Sequence, residues 1–243
     1  MNIFAITSYK GTSYQGWQKQ SDALTIQEEI EKVLSKILNT SILINGSGRT
    51  DAGVHAKGQT FSFKVDKDDL DLEKLRYSCN CLLPKDIHIL SFKKVNDDFH
   101  ARYSAKGKHY SYTIVKGENN PLNNELVSNI EIPFDTDLFI KAIKEFSGKH
   151  DFRDFTSKED DESNFVRNIE INAVSAGNII RIDFNGDGFM RYMIRFMVGV
   201  ALAIAMNKED ISYIKKHLDT TSKRSITSYK AMSNGLILEE VFY

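Results

Sequence analysis

Thr25-Ile26-Gln27-Glu28-Glu29-Ile30-Glu31-Lys32-Val33-Leu34-Ser35-Lys36-Ile37-Leu38 is the stretch on which the fold turns. Its apolar residues at 26, 30, 33, 34, 37 and 38 recur with helical spacing. Thr25, with Glu28 three residues on, has the form of a capping box. On both sides the period changes to that of strands. Ile3–Tyr9 alternates and is β-prone, and the polar, glycine-punctuated run Gly11–Gln20 is a loop. Downstream come a short strand at Ile42–Ile44, a loop at Gly46–Gly53 and an alternating strand at Gln59–Val65. Leu72, Leu75, Cys79 and Leu82 predict a second helix, stopped by Pro84, and Ile87–Val95 a further strand. The order is β-α-β-β-α-β.

The second half reads in a similar order. Tyr103–Val115 is a tyrosine-rich strand, Phe134–Phe146 a helix, and Val166–Val174 with Ile179–Phe184 a hairpin turning at Ser175–Asn178. Phe189–Met206 is a long apolar helix, Ile211–Leu218 a short one, and Leu236–Phe242 a closing strand. The fold class expected is therefore α+β. Two ferredoxin-like halves join into an extended antiparallel-rich sheet, with helices on one face and a catalytic cleft between the halves. Residues 1–98 form the half that carries the Gly46–Gly53 loop, and residues 99–243 the half with the tyrosine-rich basic strand and the arginine-bearing helix. The halves share architecture, without obvious identity of sequence.

Three prolines and 14 glycines in 243 residues argue against a disordered chain. No basic segment followed by an apolar run opens the chain, so no secretory signal is visible. Phe189–Met206 contains Arg191 and Arg195 and falls short of the roughly 20 apolar residues a membrane span needs; it reads as a buried core helix. Cys79 and Cys81 have no further cysteine with which to build a zinc site. They read as reduced thiols, Cys79 in a helix core, which fits the cytoplasm. Net charge is −1, without the basic excess usual in nucleic-acid binders. The charges are segregated, however. Acids gather in Asp66–Glu73 and Glu159–Glu162, whereas Phe99–Gly117 holds Arg102, Lys106, Lys108 and Lys116, two histidines and three tyrosines without one acid. One locally positive face is expected.

Gly46-Ser47-Gly48-Arg49-Thr50-Asp51-Ala52-Gly53-Val54-His55-Ala56-Lys57-Gly58-Gln59 is the segment richest in chemical possibility. A glycine-walled loop that offers an acid and an arginine suits an active site. It equally suits an ordinary turn in which Asp51 caps locally and Arg49 is its ion-pair partner. The frame is not that of a phosphate-binding P-loop, and Asp51 with His55 lacks a third ligand for a metal. Arg195, with Arg191 one turn earlier, lies in an apolar helix where an unpaired charge is costly unless its stem reaches solvent. Tyr110 offers a ring that either stacks on a base or packs in the sheet.

Gly48-Arg49-Thr50-Asp51-Ala52-Gly53-Val54-His55 resembles the signature of the tRNA pseudouridine synthase A family. The family's other landmarks follow in order. They are Tyr14–Gln18 with Gln20; Asn80, Leu83, Pro84, Asp86 and Ile87; Phe99–Ala105 with His109–Tyr112; His150–Phe155; Val166 with Arg167; Phe189 and Met193–Arg195 with Val198 and Gly199; and Gly235, Leu236 and Leu238. The chain departs from the family at Ala231–Asn234, where an Ala-Pro-Ala-like stretch is usual, and in the acidic loop 154–162.

The resemblance implies a tRNA-uridine isomerase that breaks the N-glycosidic bond, turns the uracil and rejoins it through carbon. Asp51 would be the catalytic nucleophile or base, acting on sugar or ring, with Arg195 beside it. Tyr110 would pack on the target base, Arg49 would assist flipping, and Arg102 and Lys108 would contact the RNA backbone with Lys106. The resemblance further implies the anticodon stem-loop, positions 38–40, as target, a homodimer, and neither metal nor cofactor. Two other readings stay open: a non-catalytic RNA-binding module of ferredoxin-like fold, and a nucleoside hydrolase, which would need a second carboxylate.

Overall fold

In the computed structural model, which describes residues 1–243 other than 68, 123, 158–163, 220 and 222, the chain opens with β1 (Asn2–Tyr9). The acidic run Glu159–Glu162 therefore lies outside the described residues. A 3-10 turn at Gly11–Ser13 leads to α1 (Ile26–Leu38), which buries Ile26, Ile30, Leu34 and Leu38. The capping box does not form. Thr25 is fully buried, its hydroxyl has no partner among the described residues, and Glu28 pairs with Lys32 at 3.4 Å instead. The first turn is satisfied from outside: the N–H groups of Ile26 and Gln27 donate to the carbonyls of Gly16 and Trp17 at 3.2 and 3.0 Å.

The segment after α1 is not the strand expected at Ile42–Ile44. It is tied to a buried acid: Glu31 Oε1 accepts from Ile44 N–H at 3.1 Å and from Gln27 at 2.9 Å, and Lys19 reaches Oε2 at 3.3 Å. A glutamate 4% exposed is tolerable only when so satisfied. Pairing waits for β2 (Asn45–Gly46), which lies antiparallel to β3 (His55–Lys64). α2 (Leu72–Leu82) has a true cap, the Asp71 carboxylate accepting from Lys74 N–H at 2.9 Å, and ends before Pro84 as its sequence predicts. β4 (Ile87–Val95) follows.

The second stretch of chain gives β5 (Gly107–Lys116), β6 (Ser128–Ile130), α3 (Thr136–Lys144), β7 (Gly148–Asp151), β8 (Val166–Ala176), β9 (Ile179–Gly186), α4 (Met193–Ala205) and α5 (Ser212–Leu218). β10 (Leu236–Phe242) closes the chain. Two short strands, β6 and β7, escaped the sequence reading because three or four residues carry too little alternation to register. The long helix starts at Met193, four residues later than expected, because Tyr192 adopts φ 62°, ψ 2°. A left-handed residue cannot continue a right-handed helix, so Arg191 lies outside α4 rather than one turn before Arg195 on its face.

Contacts divide the chain into two units, Met1–Lys106 with Ile237–Tyr243, and Gly107–Leu236. In the first, the strand order is β4-β1-β3-β10, antiparallel apart from β10, which runs parallel to β3 with Ile237 opposite His55. Its core holds Ile3, Ala5, Trp17, Phe61 and Phe63. Tyr243 explains why the chain's end belongs here and not, as expected, with the second half: its ring meets Phe4 and Phe99 at 5.2 and 5.3 Å, and its hydroxyl donates to Ala101 O at 2.8 Å. In the second unit β5-β9-β8-β7 are antiparallel, with β6 parallel to β5. Beyond Arg195 in its first turn, α4 is apolar all round, and every residue from Phe196 to Ala205 is buried, which is the pattern of a core helix. No helix among the described residues is long and apolar enough to cross a membrane. The α+β class with mostly antiparallel sheets is thus the one expected.

Cys79 is 1% exposed on α2 and Cys81 is exposed. Burial pushes the Cys79 thiol up to about 12, so almost no thiolate exists near neutrality. One thiol per chain should react with iodoacetamide at pH 8 in the native protein and two in denaturant. Two reactive native thiols would show that α2 opens.

Candidate active site

The loop from Ser47 to Val54 joins β2 to β3 and is tied down at nearly every residue. Ser47 N–H donates to Thr60 O at 2.8 Å, and the Ser47 hydroxyl donates to Gln59 Oε1 at 2.7 Å. Gln59, fully buried, turns its amide to Gly48 O at 3.2 Å. Thr50 shares a 2.8 Å hydrogen bond with the Tyr9 hydroxyl, and its carbonyl accepts from Trp17 N–H at 3.1 Å. Tyr9 is buried, and burial raises its phenol well above the usual range, so it stays neutral as a hydrogen-bonding partner. Gly53 N–H donates to Tyr14 O at 3.3 Å, and Val54 N–H to Asp51 O at 3.1 Å. A segment this fully hydrogen-bonded holds its side chains with little residual entropy, as a chemical site requires.

Two glycines make the approach of the preceding loop possible. Gly16 has φ +91°, and a methyl there would lie 2.6 Å from Thr50 O and 3.1 Å from the Asp51 carbonyl carbon. At Gly11 an added carbon would sit 2.0 Å from Val54 O. Only a residue with no side chain lets these backbones touch. Held between them, Asp51 is half-buried and Arg49 exposed. His55 follows the loop at the start of β3. It is 2% exposed and its Nδ1 accepts the Gly11 N–H at 3.0 Å, and no cluster of three potential ligands occurs among the described residues. Arg102 belongs to the same unit, in the turn after Phe99, and is exposed with its guanidinium 5.9 Å from the Tyr103 ring centre.

The other sequence-derived residues lie in the second unit. Tyr110 on β5 is 6% exposed and forms a T-shaped ring pair with Phe189, centres 5.2 Å apart. Lys108, two residues before it, is half-buried. The acid-free strand is not left acid-free by its surroundings. Asp183 of the neighbouring β9 accepts from His109 and Arg181, each at 2.9 Å. Burial pushes its carboxyl up, but these two partners outweigh that and hold it below the usual range. His109 of the basic strand therefore faces an acid that the sequence places far away, an acid that brings its own cation in Arg181.

Arg195 sits in the first turn of α4. Its Nε donates to Ala231 O at 2.9 Å, and Ala231 N–H donates back to the Arg195 carbonyl at the same distance. It is half-buried and pairs with no carboxylate among the described residues. Its charge is felt by Tyr112, which burial pushes up to about 12 against the lowering effect of Ser128 and Arg195.

Of the residues the sequence offered, the first unit brings Asp51 and Arg49 into one loop, and the second holds Tyr110, Lys108 and Arg195. Sequence reasoning missed Tyr9 and Gln59 as supports of the loop and Tyr192 as a special backbone position. A tyrosine and a glutamine in strands carry no sequence signal for such roles.

The sequence model of a family described as tRNA pseudouridine synthase matches residues 5–104 and 142–243. A tRNA pseudouridine synthase A of Streptococcus uberis is 39% identical over 98% of this chain and 97% of its own. A tRNA pseudouridine synthase A 2 of Clostridium perfringens is 38% identical over 100% and 99%, and a tRNA pseudouridine synthase A of a Geobacter species is 33% identical over 100% and 98%. The likeness is thus spread over the whole length and is not confined to the Gly48–His55 loop.

Proposed function

We propose, because this chain belongs to the tRNA pseudouridine synthase family, that Asp51 drives its reaction and that Arg195, Tyr110, Arg49, Arg102 and Lys108 serve it. The enzyme isomerises uridine to pseudouridine in tRNA. One C–N bond breaks, the uracil turns, and one C–C bond forms, with a ring proton lost to solvent and the N–H regained. What carries the assignment of Asp51 is its position: an acid half-buried in a loop whose neighbours spend their hydrogen bonds on holding the backbone still.

In this assignment the Asp51 carboxylate acts as nucleophile or base. Arg195 supplies the positive charge that a carboxylate-driven reaction uses to keep its acid ionised. Tyr110, its ring paired with that of Phe189, supplies a flat apolar face for uracil, a kind of contact that contributes roughly 1–3 kcal/mol per base. A uridine in a stem must leave the stack, at about a few kcal/mol, and exposed Arg49 assists that step. Arg102 and Lys108 contact phosphates and position the RNA without reading its sequence. The finer readings rest on the family resemblance: uridines 38–40 of the anticodon stem-loop as targets, and a homodimer in the cytoplasm.

The test is direct. A uridine-labelled tRNA incubated with the protein yields pseudouridine in the anticodon stem-loop. A folded preparation that binds tRNA and makes none would return the chain to the class of RNA-binding modules, and release of free uracil would make it a hydrolase.

A further inference from the structure

Tyr192, the left-handed residue that stops the helix short, is surrounded by cations. The Lys230 ammonium lies 4.6 Å from its ring centre, the Arg191 guanidinium 4.8 Å and the Arg195 guanidinium 5.3 Å. These are cation–π distances, and the Arg191 Nη2 also donates to the Tyr192 hydroxyl at 3.0 Å. Among the described residues none of the three cations pairs with a carboxylate. Three like charges gathered about one ring repel one another, and an anion joining them would relieve that repulsion. The cluster is also fixed in place from behind. Ala231 N–H donates to the Arg195 carbonyl and Arg195 Nε donates to the Ala231 carbonyl, both at 2.9 Å, which sets Lys230 beside α4. Gly199 lets the segment lie that close, since a methyl there would be 2.6 Å from Tyr229 O. The Arg191 carbonyl is held by the Thr156 hydroxyl at 3.1 Å. Tyr192 itself keeps a backbone conformation that side-chain-bearing residues rarely adopt, which persists only where its surroundings require it.

We propose that Arg191, Tyr192 and Lys230 form a binding site for one phosphodiester group of the RNA backbone, bordered by Arg195; the choice of RNA rests on the tRNA reading above. Ring contacts restrain the two exposed cations without using up their donors, apart from the one Arg191 gives to the tyrosine hydroxyl. A guanidinium and an ammonium together then offer the charge-assisted hydrogen bonds that a phosphate accepts.

The test compares tRNA binding by the parent and by the pair Arg191→Gln with Lys230→Gln across a series of salt concentrations. Both residues are exposed, and an unchanged melting temperature confirms folding. The neutral pair should bind about 10- to 100-fold more weakly at fixed low salt, the range of one or two lost charge-assisted hydrogen bonds. Its plot of log affinity against log salt should be shallower by about 1. The charge-conserving pair Arg191→Lys with Lys230→Arg should keep the parent's slope. An unchanged affinity and slope in the neutral pair overturns the site. So does an equal loss in the charge-conserving pair, which would mark a structural role. Pseudouridine formation by the parent is scored separately. A parent that binds tRNA without isomerising it, while the neutral pair still loses its slope, would overturn the function and leave the phosphate site standing.

Discussion

Asp51→Asn lowers pseudouridine formation by about 10⁴-fold or more, the order seen when a single essential nucleophile is removed, and leaves tRNA affinity close to the parent's. Asparagine keeps the shape of aspartate and removes its charge and its nucleophilic oxygen. The loop should survive the change. Its ties to Tyr9, Gln59, Trp17 and Tyr14 run through Thr50, Gly48, Gly53 and main-chain atoms. The expected signature is therefore a fall in kcat at nearly constant Kd, with an unchanged urea midpoint. A variant with turnover within tenfold of the parent would remove Asp51 from the chemistry, whatever its neighbours do.

Gly16→Ala is expected to damage both stability and rate, though residue 16 carries no reactive group. The added methyl would meet Thr50 O at 2.6 Å and the Asp51 carbonyl carbon at 3.1 Å, both main-chain atoms that cannot swing aside. The φ of +91° adds a second penalty. A left-handed side-chain-bearing residue costs about 1–2 kcal/mol, and overpacking about 1–3 kcal/mol. A loss of roughly 2–5 kcal/mol in urea unfolding is expected from these two sources. Because the loop that must yield is the one holding Asp51, turnover should fall about 100-fold, the scale of a misplacement near 1 Å. Gly177→Ala is the control. Its φ is +60° in the β8–β9 turn, but nothing lies within 4 Å of the added carbon. It should cost about 1–2 kcal/mol and leave turnover unchanged. Equal effects on rate from the two substitutions would mean that Gly16 does not brace the catalytic loop.

Much of the fold was legible in periodicity. α2 and β4 have the bounds their residues predict, because Asp71 caps one and Pro84 separates the two. The hairpin of β8 and β9 follows from alternation on both sides of Gly177 and Asn178. The reading failed where distant contacts overrule local preference. Ile42–Ile44 looks like a strand, but Glu31 takes the Ile44 N–H. Thr25 and Glu28 look like a capping box, but carbonyls of Gly16 and Trp17 already serve the helix's first N–H groups, and Glu28 turns to Lys32. Phe189–Met206 looks like one helix because apolar periodicity says nothing of the left-handed turn at Tyr192.

By itself the sequence determined the class of fold, the order of most elements and the loop that carries the acid, since these follow from residue type, local spacing and an eight-residue motif. Only the tertiary structure decided what makes that loop rigid, that Asp183 pairs with His109 of the basic strand, and that Arg191 and Lys230 meet at one tyrosine ring. Those outcomes depend on atoms brought together from 11 to 74 residues apart along the chain, and closing such loops costs entropy that no local pattern records. A pattern read along the chain describes each partner alone; the energy lies in their encounter.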